Sequence, residues 1–205
     1  MLEYDHGHVA PILELGDPVR EAAQRFEAAL RQSGQDPTLC AQEVVSALTP
    51  LINRHQELFA ASAQRPSQIP GHLMSTIYFD PSLMIQVVGA PGGFRLPAHN
   101  HSAWNILFVC EGEMQFRWYQ RLDDRSVPGR ADLRVADDRV LRSGDAGIVA
   151  PPPNDIHELE VLSDYLWMVV VTPEPEAPVR EIYLPEAGTY EIKGLAPIPP
   201  LLASI

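Results

Sequence analysis

The sequence predicts a mainly β fold, an antiparallel sandwich or small barrel, with a helical portion in front of it. Three observations carry that prediction. Two helix-start signals, Asp17-Pro18 and Asp36-Pro37, stand close together before residue 40, each with Asp as N-cap and Pro at the first helical position. From Met74 onward the texture changes to short β-type runs separated by turns. Within that region His99 and His101 alternate around Asn100, the period-two pattern of side chains sharing one face of a strand.

Taken in order, Val19 to Arg31 reads as a helix that Gly34 stops. Thr38 to about Leu51 follows as a second helix, with Leu39, Val44, Val45, Leu48 and Leu51 as its apolar stripe. Leu58 to Gly71 is loop or short helix. The β runs are Ser75 to Phe79, Leu83 to Gly89, Trp104 to Cys110, Met114 to Gln120, Ala146 to Ala150, Leu159 to Leu162 and Tyr165 to Thr172. Arg121 to Arg142 mixes Asp and Arg and reads as a polar hairpin on the rim. Pro197 to Pro200 marks a stiff tail. The expected organisation is a helical extension over residues 1–70 packed on a β barrel over residues 71–205, within one structural domain.

Composition limits the partners. At 205 residues the chain can bury one substantial core. Fifteen Lys and Arg stand against 27 Asp and Glu, a net charge of -12 without a basic cluster, which argues against nucleic acid and anionic membrane surfaces. No basic, apolar signal peptide opens the chain, and no run approaches the ~18 apolar residues of a spanning helix, so the expected location is the cytoplasm. Cys40 and Cys110 each sit in an apolar pattern that would bury a free thiol; neither a disulfide nor a cysteine-bound zinc is expected.

Chemistry concentrates around Gly93-Phe94-Arg95-Leu96-Pro97-Ala98-His99-Asn100-His101-Ser102-Ala103-Trp104-Asn105, with Gly112 seven residues on. His99 and His101 on one strand face can reach one metal ion, and His157, behind Pro151 to Pro153 and ahead of another apolar run, is the candidate third ligand. His6-Gly7-His8 has the same spacing but reads as a solvated terminus. Around the triad, Trp104 is either core packing or a substrate wall, and Arg95 either a surface arginine or a carboxylate partner. Tyr78 and Tyr183 are either core tyrosines or pocket phenols. The strand slot of Asn105 aims it at the metal, where a buried amide needs partners and could hold a metal-bound water or dioxygen.

These residues resemble the cupin superfamily. Gly93, His99, His101, Asn105 and Gly112 match the spacing of its first motif, with Asn105 where most members carry Glu, and Gly144-Asp145, Pro151 to Pro153 and His157 match its second motif in kind. The resemblance implies a double-stranded β-helix, or jelly-roll barrel, with metal on His99, His101 and His157. Because Asn105 replaces the usual carboxylate, the site keeps the full double positive charge of its ion. That suits a substrate binding through a thiolate, enolate or carboxylate, with O2 beside it.

Over roughly residues 70 to 190 the chain is most similar to the cysteine dioxygenase group and its relatives acting on 3-mercaptopropionate. The shared features are Pro97 to Trp104, Asp155-Ile156-His157 and the Val179-Arg180-Glu181-Ile182-Tyr183 segment. The resemblance implies a three-histidine Fe(II) centre that binds a substrate thiolate and O2 and leaves both oxygen atoms on sulfur. The family's Ser-x-His-x-Tyr strand falls on Trp167, Val169 and Val171, so a drier, more apolar pocket is expected. No Arg or Gln stands at Ser75 to Tyr78, where the family holds its substrate carboxylate.

The expected function is therefore a metal-dependent cupin, foremost a non-haem Fe(II) dioxygenase acting on a small thiol or other chelating molecule with O2. The alternatives are a non-redox isomerase or lyase using zinc, nickel or manganese, and a binding module without chemistry. Cupins often pair, so a homodimer through β edges is a further expectation.

Overall fold

The computed structural model describes residues 16–61, 64–65, 71–173 and 179–194. The His6-Gly7-His8 terminus and the Pro197 to Pro200 tail lie outside the described residues. Helix α1, Gly16–Gln32, buries Val19, Ala22, Ala23, Phe26, Ala29 and Leu30 along one stripe at helical spacing. Gly34 ends it in the left-handed region at φ +67, open to any residue only at a cost that Gly avoids.

The second helical segment is broken where one continuous helix was expected. Asp36 caps it, its Oδ1 accepting from Thr38 N at 2.9 Å, but Pro37–Cys40 is a tighter three-ten turn, which leaves Leu39 74% exposed rather than on the apolar stripe. Helix α2, Ala41–Leu48, then carries the buried Val44 and Leu48. Pro50 has no N–H to continue the α ladder, so Thr49–Arg54 winds as a second three-ten turn before α3, His55–Ala61.

Twelve strands follow: β1 Gln64–Arg65, β2 Leu73–Phe79, β3 Leu83–Pro91, β4 Arg95–His99, β5 Asn105–Glu111, β6 Glu113–Arg121, β7 Leu133–Arg142, β8 Ala146–Val149, β9 Ile156–Val161, β10 Tyr165–Pro173, β11 Val179–Leu184 and β12 Thr189–Gly194. They form two antiparallel sheets, ordered β1-β2-β3-β10-β5-β8 and β12-β11-β4-β9-β6-β7. Strand β3 pairs with β10, β4 with β9, β5 with β8 and β6 with β7, as in one long hairpin rolled across both sheets. That pairing is a jelly roll, the double-stranded β-helix.

Every predicted run lies on one of these strands. The expected polar hairpin at Arg121 to Arg142 is half loop and half β7. Its charges are cross-strand partners: Arg117 Nε meets Asp138 at 2.9 Å and Arg142 Nε meets Glu113 at 3.0 Å, along an edge that charge protects from further pairing. Gly112 turns β5 into β6 at φ +92, and a β-carbon there would lie 2.4 Å from the Tyr165 carbonyl oxygen, so only glycine fits.

Strand alternation sorts the core into two layers. Ile85, Val87, Ile106, Phe108, Val169 and Val171 pack under the helices. Their alternates Val88, Leu107, Val109 and Met168 face inward against Phe116 and Leu159 of the other sheet. Trp167, Val169 and Val171 therefore lie in the helix-facing layer, and the expectation that they make the pocket apolar is corrected. The inward residues of β10 are Leu166, Met168, Val170 and Thr172, because parity, not alignment to a motif, decides which side chains a barrel encloses.

Candidate metal centre

His99, His101 and His157 converge between the two sheets, their ligand atoms within 4.8 Å of one another, and all three are buried. His99 closes β4 and His157 lies directly opposite it on β9, so the ladder itself brings two imidazoles together. His101 does not lie on the strand, as its spacing suggested. It sits two residues past the end of β4, immediately before a turn at Ser102, φ +57. His99 Nε2 and His101 Nε2 are 3.0 Å apart, the separation of two nitrogens at right angles around one ion with bonds of about 2.1 Å.

Neighbouring carbonyls set the tautomers. A carbonyl only accepts, so His99 Nδ1 donates to Pro97 O at 2.9 Å and His157 Nδ1 to Asp155 O at 3.3 Å. Each ring thereby keeps its Nε2 lone pair for the centre. Burial, then the nearby positive charge of Arg180 and His99, holds His101 well below the ordinary imidazole range. Burial, then repulsion from His99 and His101, does the same for His157. Neutral imidazoles clustered in a buried site are the donor set of a first-row divalent ion, so the residues fit a metal.

A set of polar residues that sequence reading passed over fixes these histidines. Ser102 N donates to Asp155 Oδ2 at 2.9 Å, so one buried carboxylate joins the turn after His101 to the strand entering His157. Asn100 lies between the two histidine ligands; its Oδ1 accepts from Glu181 N at 2.9 Å and its Nδ2 donates to Glu181 Oε2 at 3.2 Å, tying β4 to β11. Glu181 also pairs with Arg125 at 3.2 Å and with the Tyr183 hydroxyl, so Tyr183 faces this network rather than the metal pocket. The only hint of this set in the chain was the Asp155 to His157 and Val179 to Tyr183 segments.

The other expected site residues separate. Asn105, 1% exposed, shares strand parity with the inward Leu107, and neither its Oδ1 nor its Nδ2 has a hydrogen-bond partner among the described residues. Trp104 turns the opposite way and packs on Phe26 of α1, with ring centroids 5.6 Å apart; it belongs to the helix seam, not to the wall of the pocket. Arg95 pairs with Glu160 at 2.7 Å on the surface, its side chain 72% exposed. Tyr78 donates to Asp80 Oδ2 at 2.6 Å and packs against the helix-side core. Parity sends Trp104 and Tyr78 outward, and the structure gathers none of the three at the histidines.

No family model matches the chain. No curated protein matches it either. Solved structures similar to it include the DMSP lyase DddQ from Ruegeria pomeroyi DSS-3, at 19% identity over 62% of this chain and 64% of that one, TM-score 0.43. KdgF from a Halomonas species is 19% identical over 56% of this chain and 89% of that one, TM-score 0.43. A cupin superfamily protein from Desulfitobacterium hafniense DCB-2 is 13% identical over 53% and 83%, TM-score 0.39. The chain spans less than two thirds of the length of DddQ.

Proposed function

We propose that this chain is a metal-dependent cupin-type enzyme, a non-haem Fe(II) dioxygenase whose iron is held by His99, His101 and His157. One observation carries the reading: three buried imidazoles bring their ligand atoms within 4.8 Å of one another, no carboxylate joins them among the described residues, and the amide Asn105 is buried on the facing sheet. Bound there, iron(II) supplies open coordination positions and an undiminished double positive charge to a chelating substrate and O2.

The protein's own groups favour an anionic substrate. On β11, Ile182 opposes His99, so Ile182 and its alternate Arg180 share the sheet face of the histidines. Arg180 brings positive charge to that face, which favours an anionic substrate. Met168, Val170 and Leu107 line the interior with apolar surface and exclude water. Asn105 offers a donor and an acceptor to whatever binds beside the histidines. Thiolates and enolates of small acids fit these features.

The test is anaerobic purification, reconstitution with iron(II), and oxygen-uptake screening against 3-mercaptopropionate, cysteine, cysteamine, mercaptosuccinate and β-diketones. Stoichiometric iron and substrate-dependent uptake are expected, both lost in His157→Ala. Turnover without oxygen would overturn the dioxygenase and leave a Lewis-acid lyase or isomerase.

A further inference from the structure

A second polar surface faces the histidines from the opposite sheet. Thr172 on β10 shares inward parity with Met168 and Val170, and the ladder that opposes Val171 to Ile106 sets it beside Asn105. Side chains so opposed have β-carbons about 5 Å apart. Asn105 is 1% and Thr172 3% exposed, and neither the amide atoms of the one nor the hydroxyl of the other has a hydrogen-bond partner among the described residues. One strand further, Val170 opposes Gln86, whose Nε2 donates to Thr76 Oγ1 at 3.4 Å.

This patch lies at the level of the histidines. Trp118, the ladder partner of His157, donates from Nε1 to Ile148 O at 2.8 Å, and Ile148 adjoins Val149, the ladder partner of Asn105. Facing sheets stand about 10 Å apart, so side chains from both meet in the middle. A buried polar group left unsatisfied costs about 1–3 kcal/mol, and a folded protein rarely gathers three such atoms in one place without a ligand for them.

We infer that Asn105 and Thr172, with the Gln86–Thr76 pair beside them, form a recognition wall for an uncharged oxygen substituent, a hydroxyl or a carbonyl, on the substrate held at the histidines. The inference rests on the metal-pocket reading above and narrows its substrate class. The amide and the hydroxyl can each donate and accept, as a hydroxyl requires. On β2, β3, β5 and β10 the residues that alternate with the helix-facing ones around Asn105 and Thr172 are uncharged, so a carboxylate or ammonium against them would be buried without an adjacent counter-charge. The substrate's anionic donors therefore go to the metal, and its neutral oxygen goes to the wall. The class is a small hydroxy or oxo acid that also carries a metal-binding donor.

The test uses the full chain loaded with cobalt(II), whose visible spectrum reports ligand binding without turnover. The probes are 3-mercaptopropionate and 2-hydroxy-3-mercaptopropionate, which differ by one hydroxyl. The wild type is expected to bind the hydroxy thiol about tenfold more tightly. Thr172→Val should abolish that preference while leaving the cobalt spectrum and the affinity for 3-mercaptopropionate in place; Thr172→Ser should keep it. Since the replaced hydroxyl has no hydrogen-bond partner among the described residues, T172V is expected to melt no lower than the wild type, and Gln86→Met, which should weaken the preference, stands in if it does not fold. Equal affinity of the wild type for both thiols, or a preference that survives Thr172→Val, overturns the wall alone. A cobalt spectrum that neither thiol perturbs overturns the metal-pocket reading and the wall with it.

Discussion

At the residue scale, chemistry here depends on side chains whose protonation is set by burial. The Cys110 thiol is pushed up to about 12, first by burial, against an unfolded value of about 8.5. A folded value above the unfolded one means full stability below about pH 8.5, lost as pH rises toward 12 while the unfolded chain releases its proton. The urea midpoint of the wild type should therefore fall more between pH 8 and 10 than that of Cys110→Ala. Iodoacetamide should leave Cys110 unlabelled in the native protein at pH 8, as read by intact mass. The histidine triad was legible at this scale, since i, i+2 spacing and a proline-flanked third histidine appear in the chain. Asn100, Asp155 and Glu181 were not, because their roles are contacts with residues 53 and 81 positions away.

At the element scale, parity is what the sequence reading handled least well. Trp104 and Asn105 are adjacent, yet one packs under α1 and the other faces the barrel interior. Trp104→Ala should thus cost about 3–5 kcal/mol of stability, as deletion of a buried aromatic does, without changing metal stoichiometry; chemical denaturation and elemental analysis separate the two effects. A lost substrate wall would instead change ligand affinity with little loss of stability. Strands β4, β7, β11 and β12 carry no clear apolar alternation because their burial patterns are broken or mostly exposed, and β7 and β12 are the edges of their sheet. The break at Thr49-Pro50 was visible in the chain, since proline cannot extend an α ladder.

At the scale of the whole molecule, three layers share the structure: helices, one sheet, and the second sheet that carries the triad. Among the described residues no helix is long and apolar enough to cross a membrane. A ligand bound only to the folded state stabilises it, by about 2.7 kcal/mol at a hundredfold excess over Kd. For a chain of this size, iron(II) or zinc should raise the melting temperature by roughly 5–10 °C, and EDTA should reverse the shift. With a net charge of -12 the surface attracts cations unspecifically, so His157→Ala is the necessary control: it should remove the shift while leaving any surface binding intact.

By itself the sequence determined the local grammar of this protein: helical turns beside two Asp-Pro pairs, although α1 begins at Gly16, ahead of Asp17, and Asp36-Pro37 opens a three-ten turn, a run of strands, and three histidines with metal-ligand spacing. Those are properties of neighbours along the chain, fixed by backbone sterics and periodicity. Which face of each strand is enclosed, and hence that Thr172 and Asn105 look toward the histidines while Trp167, Val169, Val171 and Trp104 look toward the helices, was decided only by the tertiary structure. The physical reason is that both faces of this sheet are covered: with apolar partners on either side, hydrophobic alternation no longer marks the inside, and only the register of strands far apart in sequence does.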